Sequence, residues 1–256
     1  MGKIKNKWFR YEQVREDACG NVFCFAHAGG SAALFAKWKK IAAGTVNFYP
    51  VQYPARENRR KEAMPDGARE LAEAFVRDNR MLLKEKPYIL FGHCFGAEIC
   101  WEIIQLVKEM GEVLPVKLVV SSADSPGDDP METVQDLTDE AITGKMCKTG
   151  YIDPMLMEDR EFFDYYKQIL LLDKKMMEAY DFRSQIGKKA GCPIISINGS
   201  EEEADIVANS EHWEAFADQG YEHTYLDGGH FFFTADPTQM IRFLEKQFQT
   251  EGKDGR

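Results

Sequence analysis

The segment Phe91-Gly-His-Cys-Phe-Gly96 constrains this chain more than any other stretch. It follows an apolar run, Pro87-Tyr-Ile-Leu-Phe91, that reads as a buried strand. It precedes residues 97–110, which have helical spacing and stop at Gly111. A turn that passes so quickly from strand to helix has no room for a β-carbon beside its neighbours, so Gly92 and Gly96 both have a steric reason to be there. The turn then presents one side chain, Cys94, at the N-terminus of a helix, where the thiolate is favoured. A chance strand-turn-helix with an inert cysteine is the competing reading, and the turn alone does not dispose of it. The partners found elsewhere in the chain favour the chemical reading.

Around this turn the chain alternates strand and helix. Asn21-Val-Phe-Cys-Phe25, Val46-Asn-Phe-Tyr-Pro-Val51, Pro87 to Phe91, Val116-Lys-Leu-Val-Val-Ser121, Pro193-Ile-Ile-Ser-Ile197 and Tyr221-Glu-His-Thr-Tyr225 read as six strands. Residues 31–43, 65–84, 97–110 and 237–248 read as helices, the second opened by Pro65 and Asp66. This order predicts an α/β fold, a mostly parallel sheet with helices on both faces. At 256 residues the chain suits one domain with an insertion. The insertion is expected at about 130–190, because roughly seventy residues separate the fourth and fifth strands, far beyond an ordinary connection. Its apolar residues include Ile152, Met155, Leu156, Met157, Phe162, Phe163, Tyr165, Tyr166, Leu170, Leu171, Met176 and Met177. A helical insertion at the carboxyl end of a parallel strand is expected to act as a lid, with a purely structural subdomain as the alternative.

Composition excludes several classes. The net charge of −10 argues against nucleic acid as a partner, since binding it needs clustered Lys and Arg. No apolar run reaches the length of a membrane span. The first residues, Met1-Gly-Lys-Ile-Lys-Asn-Lys, lack an apolar signal core, and Asn6 stands where N-myristoylation wants Ser or Thr, so a cytoplasmic location is expected. None of the six cysteines is paired as CxxC, which argues against a zinc site; no metal is expected.

Three further segments bear on Cys94. Asp227-Gly-Gly-His230 follows the sixth strand and makes His230 the candidate general base; His27 is its main competitor, while His93, His212 and His223 sit inside a turn, a helix and a strand. The base needs an acid, expected after the fifth strand, where Glu201, Glu202, Glu203 and Asp205 compete. Phe25-Ala-His-Ala-Gly-Gly-Ser31 follows the first strand. There Ala28 is expected to provide one backbone donor of an oxyanion hole and Phe95 the other, with His27, Gly29 and Gly30 lining the substrate pocket.

These segments together resemble the type II, or external, thioesterases of nonribosomal-peptide and polyketide synthesis, members of the α/β-hydrolase superfamily. That family typically shows F-P-Y-A-G-G-S, V-Q-L-P-G-R-E, G-H-S-M-G and a late G-G-H-F-F. The chain reads Phe25-Ala-His-Ala-Gly-Gly-Ser31, Val51-Gln-Tyr-Pro-Ala-Arg-Glu57, Gly92-His-Cys-Phe-Gly96 and Gly228-Gly-His-Phe-Phe232, in order and across about 21–248. The lid segment Leu171-Leu-Asp-Lys-Lys-Met-Met-Glu-Ala-Tyr180 is similar as well. The resemblance implies the α/β-hydrolase fold and release of acyl or peptidyl groups from the phosphopantetheine arm of a carrier protein, with no cofactor of the chain's own. It implies Cys94 as nucleophile, His230 as base, and Ala28 and Phe95 as oxyanion donors. Cys94 departs from the family's Ser. The family's acid is Asp, whereas spacing from Gly199 lands on Glu202 and spacing from Trp213 lands on Glu203. His27 and Ala26 replace the family's Tyr and Pro.

A cysteine keeps the acyl group as a thioester, so an amine or alcohol could compete with water. A Cys-dependent acyltransferase or cyclase is therefore the second reading, and a Cys-based small-ester or lactone hydrolase the third. A binding protein on a hydrolase scaffold is the reading from outside enzymology. Docking of an acidic carrier on an acidic chain requires a local basic patch, for which Arg56, Arg59, Arg60, Lys61, Lys174 and Lys175 are candidates.

Overall fold

Runs of aromatic and branched residues make the core strands: β1 (Asn21–Phe25), β2 (Asn47–Pro50), β3 (Tyr88–His93), β4 (Lys117–Ser121) and β5 (Ile194–Gly199) are buried almost throughout. Such runs suit strands covered on both faces. In the computed structural model, which describes residues 6–42, 44–129, 133–149 and 151–248, they join β6 (Tyr221–Leu226) in one sheet of order β2-β1-β3-β4-β5-β6. Every neighbouring pair is parallel. β6 is only half-buried along its length, as an edge strand can be. Residues 1–5, on which the expectations about secretion and lipidation rest, and residues 130–132 at the start of the expected lid lie outside the described residues. No helix among the described residues is long and apolar enough to cross a membrane.

The chain reverses its direction across the sheet between β1 and β3. β2 lies on one side of β1, and everything after β3 builds outward on the other. The crevice outside the carboxyl ends at such a switch point is where open parallel sheets bind ligands. Two of the loops singled out from the sequence, 26–31 after β1 and 92–96 after β3, meet there.

The helices follow the expected order with local differences. Residues 31–43 form a 3-10 turn, Ala32–Phe35, and a single α turn, α1 (Trp38–Ile41), instead of one helix. Phe35 and Trp38 are both buried, against Phe91 and Phe233. A tightened turn brings positions three apart onto one line and lets both rings reach the core. α2 (Ala68–Glu85) begins beyond Pro65 and Asp66, with Gly67 as its extended N-cap. α3 (Phe95–Glu109) starts two residues earlier than expected, because Cys94 itself is the N-cap.

The insertion between β4 and β5 holds α4 (Asp139–Thr149), α5 (Pro154–Glu158) and α6 (Arg160–Glu178). Most of its apolar residues are covered: Ile152, Met157, Phe163, Tyr166, Leu170 and Met176 are buried, while Met155, Leu156 and Tyr165 are exposed. α7 (Ala204–Glu211) follows β5, and α8 (Phe232–Ala235) and α9 (Thr238–Lys246) close the chain.

α6 is tied to the body by a buried ion pair. Arg56 Nη2 donates to Asp173 Oδ1 at 2.6 Å and Nη1 to Oδ2 at 2.8 Å, with both side chains 0 % exposed. Arg56 is therefore not a surface docking residue. Arg59 is not one either, since it is buried against the Trp8 ring, donating to Gln52 O and Glu62. Arg56 turns inward to Asp173 of the insertion, and Arg59 turns inward to the Trp8 ring and its own loop. Of the six candidates for docking, Arg60, Lys61 and Lys175 are exposed, and Lys174 faces the cavity described below.

Candidate active site

Cys94 sits at φ 51°, ψ −119°, outside the conformations a non-glycine residue adopts without cost. Its N–H donates to Ser121 O at 2.8 Å, which anchors the turn to β4. A β-carbon on Gly92 would stand 2.5 Å from Ala97 Cα, and one on Gly96 would run into Phe25 O. The flanking glycines are thus required by two different contacts, one within the turn and one across to β1.

His230 lies in the loop between β6 and α8, and Nδ1 is 3.2 Å from Glu202 Oε1. The Glu202 side chain is 1 % exposed and that of His230 16 %. The two loops are laced together, since Glu201 N donates to Gly228 O and Gly228 N to Ser200 Oγ. Glu203, the other acid suggested by spacing, is exposed and pairs with Lys148; Glu201 and Asp205 are exposed too. The turn after β5 points successive side chains in different directions, so only one of its four carboxylates faces the imidazole.

Cys94 borders the same cavity as His230 and Glu202, and the three groups shift one another. Burial opposes charge on His230, but the contacts with Cys94 and Glu202 outweigh it and lift the imidazole to about 9. Burial pushes the Cys94 thiol up, yet the His230 hydrogen bond and charge, with Lys174 and Lys145 beyond, bring it below its ordinary value. Burial likewise pushes the Glu202 carboxyl up, while His230 and the Ser122 hydroxyl hold it below the usual range. The arrangement favours a thiolate beside an imidazolium, the reactive form of a cysteine nucleophile.

The other histidines have different surroundings. His27 is buried with neither ring nitrogen bonded, and burial holds it neutral, down to about 3. It packs edge-on to Tyr151 and Phe231 and lines the cavity, but does not reach an acid. His93 lies under the turn, with Nδ1 3.1 Å from Ser121 O, and its ring packs against that of His230. His212 pairs with Asp128, and His223 with Asn198.

A cavity of about 500 Å³ opens over Cys94 beneath α4 and α6. Ala28 and Phe95 border it together with Cys94, and the Phe95 N–H, in the first turn of α3, has no acceptor within the helix. Gly29 and Gly30 do not border it, contrary to the expectation that they line the pocket. Gly29 N donates to Asp173 Oδ2 at 2.8 Å, and Gly30 O accepts from Arg56 at 2.7 Å, so both face the buried ion pair behind the loop.

Sequence reasoning overlooked four residues of the site. Asp173 holds the loop that carries Ala28. Ser122 stands next to Glu202 with φ 46°. Glu98 and Asp124 place carboxyl groups in the cavity wall. The signal for Glu98 was present, as a carboxylate one turn beyond Cys94 on a helix whose other early residues are apolar.

The chain is similar to known proteins over nearly its whole length. The gramicidin S biosynthesis protein GrsT of Aneurinibacillus migulanus is 24 % identical over 245 residues, covering 95 % of this chain and 94 % of that one. Thioesterase PikA5 of Streptomyces venezuelae is 27 % identical over 225 residues, 88 % and 79 % of the two chains. Among solved structures, the RedJ thioesterase from the prodiginine biosynthetic pathway in Streptomyces coelicolor superposes with a TM-score of 0.80 at 25 % identity, covering 90 % of this chain and 91 % of that one. The family model of the thioesterase domain matches residues 21–248. An α/β-hydrolase sheet, a strained turn at its switch point and this match place the chain in the thioesterase domain family.

Proposed function

We propose that this thioesterase hydrolyses acyl or peptidyl thioesters held on the phosphopantetheine arm of a carrier domain in nonribosomal-peptide or polyketide synthesis, with Cys94, His230 and Glu202 as its catalytic residues. The observation that carries the reading is the hydrogen bond of His230 to the buried Glu202 together with the strained Cys94 turn, all bordering one cavity covered by helices. The biosynthetic relatives support the substrate class.

The Cys94 thiolate attacks the thioester carbonyl carbon, and the oxygen that becomes negative is held by the Ala28 and Phe95 N–H groups. Collapse of this intermediate breaks the C–S bond to pantetheine, and the imidazolium of His230 protonates the departing sulfur. Acylation removes the thiolate charge that had raised the basicity of His230. The ring, now neutral and still oriented by Glu202 through Nδ1, can take a proton from water as water attacks the acyl-enzyme. Collapse of the second intermediate breaks the bond between the carbonyl carbon and Cys94 Sγ, releases the free acid and restores the thiolate beside the imidazolium. The pantetheine arm belongs to the partner, and no resident cofactor enters these steps.

Intact-protein mass spectrometry after mixing with a panel of acyl-loaded carrier proteins tests the proposal. The expected result is a transient mass gain that maps to Cys94, followed by its loss and free acid in solution. Carriers that stay loaded across the panel would overturn it. Acyl transfer is the second reading, favoured by one feature: the acyl group on Cys94 remains a thioester, with the reactivity of the substrate itself.

A further inference from the structure

Two carboxylates on one face of α3 are treated differently by the fold. Glu102 is fully engaged, with Oε1 accepting from Tyr180 Oη at 2.6 Å and Oε2 facing Arg69. Glu98, one turn nearer Cys94, lines the cavity, and its Oε1 is buried without a protein partner. Burial, together with the neighbouring Glu102 and Cys94, pushes its carboxyl up to about 8 against the opposing charge of Lys174, so it is mostly protonated at neutral pH. The protonated group can both donate and accept a hydrogen bond. Much of the rest of the cavity lining is apolar, with Leu137, Ile142, Met146, Leu170, Met177 and Phe182. A buried polar atom left unsatisfied in such a wall is destabilising unless a ligand meets it.

We propose that Glu98 selects acyl groups that carry a hydroxyl or amino group on the α or β carbon, and so sets the substrate class of this thioesterase. The group sits one helical turn from the nucleophile, so it addresses the first atoms of the chain beyond the carbonyl, while the apolar wall takes the remainder. A plain alkanoyl chain leaves the Glu98 oxygen buried and unpaired, and such an omission is what a polar site discriminates against. This inference rests on the thioesterase reading of the same site.

The test compares kcat/KM for butyryl-, 3-hydroxybutyryl- and 2-aminobutyryl-pantetheine in the wild type, Glu98→Gln and Glu98→Leu. The wild type is expected to prefer at least one polar substrate over butyryl by about tenfold, the size of one satisfied hydrogen bond. Glu98→Gln, nearly isosteric and neutral, should keep most of that preference, and Glu98→Leu should abolish it. Equal rates on all three substrates in the wild type, or a preference that survives in Glu98→Leu, would overturn the inference while leaving thioester hydrolysis intact. Should Glu98→Leu fail to fold, Glu98→Ala, which removes the carboxyl without adding bulk, should abolish the preference, and a preference retained there would overturn the inference. Hydrolysis of none of the three by the wild type would instead remove the thioesterase reading of the site, and this inference with it.

Discussion

Cys94 differs from the other five cysteines in its surroundings. Cys24, Cys100 and Cys192 are buried with their thiols pushed up, Cys19 and Cys147 are exposed, and Cys94 alone has an imidazole beside it at the head of a helix. Brief treatment with iodoacetamide should therefore label Cys94 first and abolish hydrolysis; equal labelling of Cys19 with activity retained would contradict this. Glu202 and Glu203 are adjacent in sequence but opposite in exposure. Replacing Glu202 by Gln should lower kcat by about a thousandfold or more, as loss of the orienting acid does in related constellations, whereas Glu203→Gln should change it by less than a few-fold. For Cys94→Ser, the informative quantity is the ratio of amide to free acid from one loaded carrier in the presence of an amine. An alkoxide leaves a tetrahedral intermediate less readily than a thiolate, so the ratio should fall if acyl transfer is part of the activity. An unchanged ratio would remove the second reading.

At the scale of elements, the contact that matters is the one between α6 and the loop after β1. Asp173 accepts from Arg56 and from Gly29 N, and thereby joins the insertion to the loop that carries Ala28. Asp173→Asn leaves a buried guanidinium without its counter-charge and should cost about 3–5 kcal/mol, read by denaturant unfolding. The pair Arg56→Met/Asp173→Leu removes both charges and should recover most of that stability. It does not restore the acceptor for Gly29, so turnover of a small thioester should still drop, by about tenfold. Full recovery of turnover in this double variant would show that the pair serves packing alone. Docking belongs to this scale too. Reversing the charges of the exposed Arg60, Lys61 and Lys175 should raise KM for a carrier-bound substrate and spare the same acyl group on free pantetheine, and equal losses on both would exclude that surface.

For the whole molecule, pH acts through the buried histidines. His27 is held neutral in the folded state, down to about 3, against an ordinary value of 6.5. Its folded value is depressed, so the stability it permits is present above about 6.5 and is lost as pH falls towards 3. At pH 4.5 that amounts to about 3 kcal/mol. His230 is shifted the other way and by itself would cost stability as pH rises from 6.5 through about 9. The Cys94 thiol is shifted down at the same time, and a lowered thiol acts in the opposite sense to the raised imidazole. His27 should therefore make thermal unfolding easier as pH falls below 6.5, while the raised Glu98 carboxyl makes it easier as pH rises towards 8. His27→Phe should flatten part of the acid-side fall, and an unaltered profile in that variant would show that other groups govern it.

Much of this could be read along the chain because it depends on local spacing. Alternating strands and helices implied the parallel sheet, the two glycines around Cys94 implied a turn without room for side chains, and Asp227-Gly-Gly-His230 marked the candidate base. Glu202 was narrowed to a pair, since spacing cannot say which way a turn residue faces; that was decided when the loops 199–202 and 228–230 bonded to each other. Arg56 and Arg59 looked like surface charges, yet Arg56 meets Asp173, more than a hundred positions away, and Arg59 meets the Trp8 ring. Gly29 and Gly30 looked like pocket lining, but both face the buried Arg56–Asp173 pair. In each case the sequence determined the residue type and its local geometry, whereas burial and partnership arose from segments distant in the chain, which only the tertiary structure brings together.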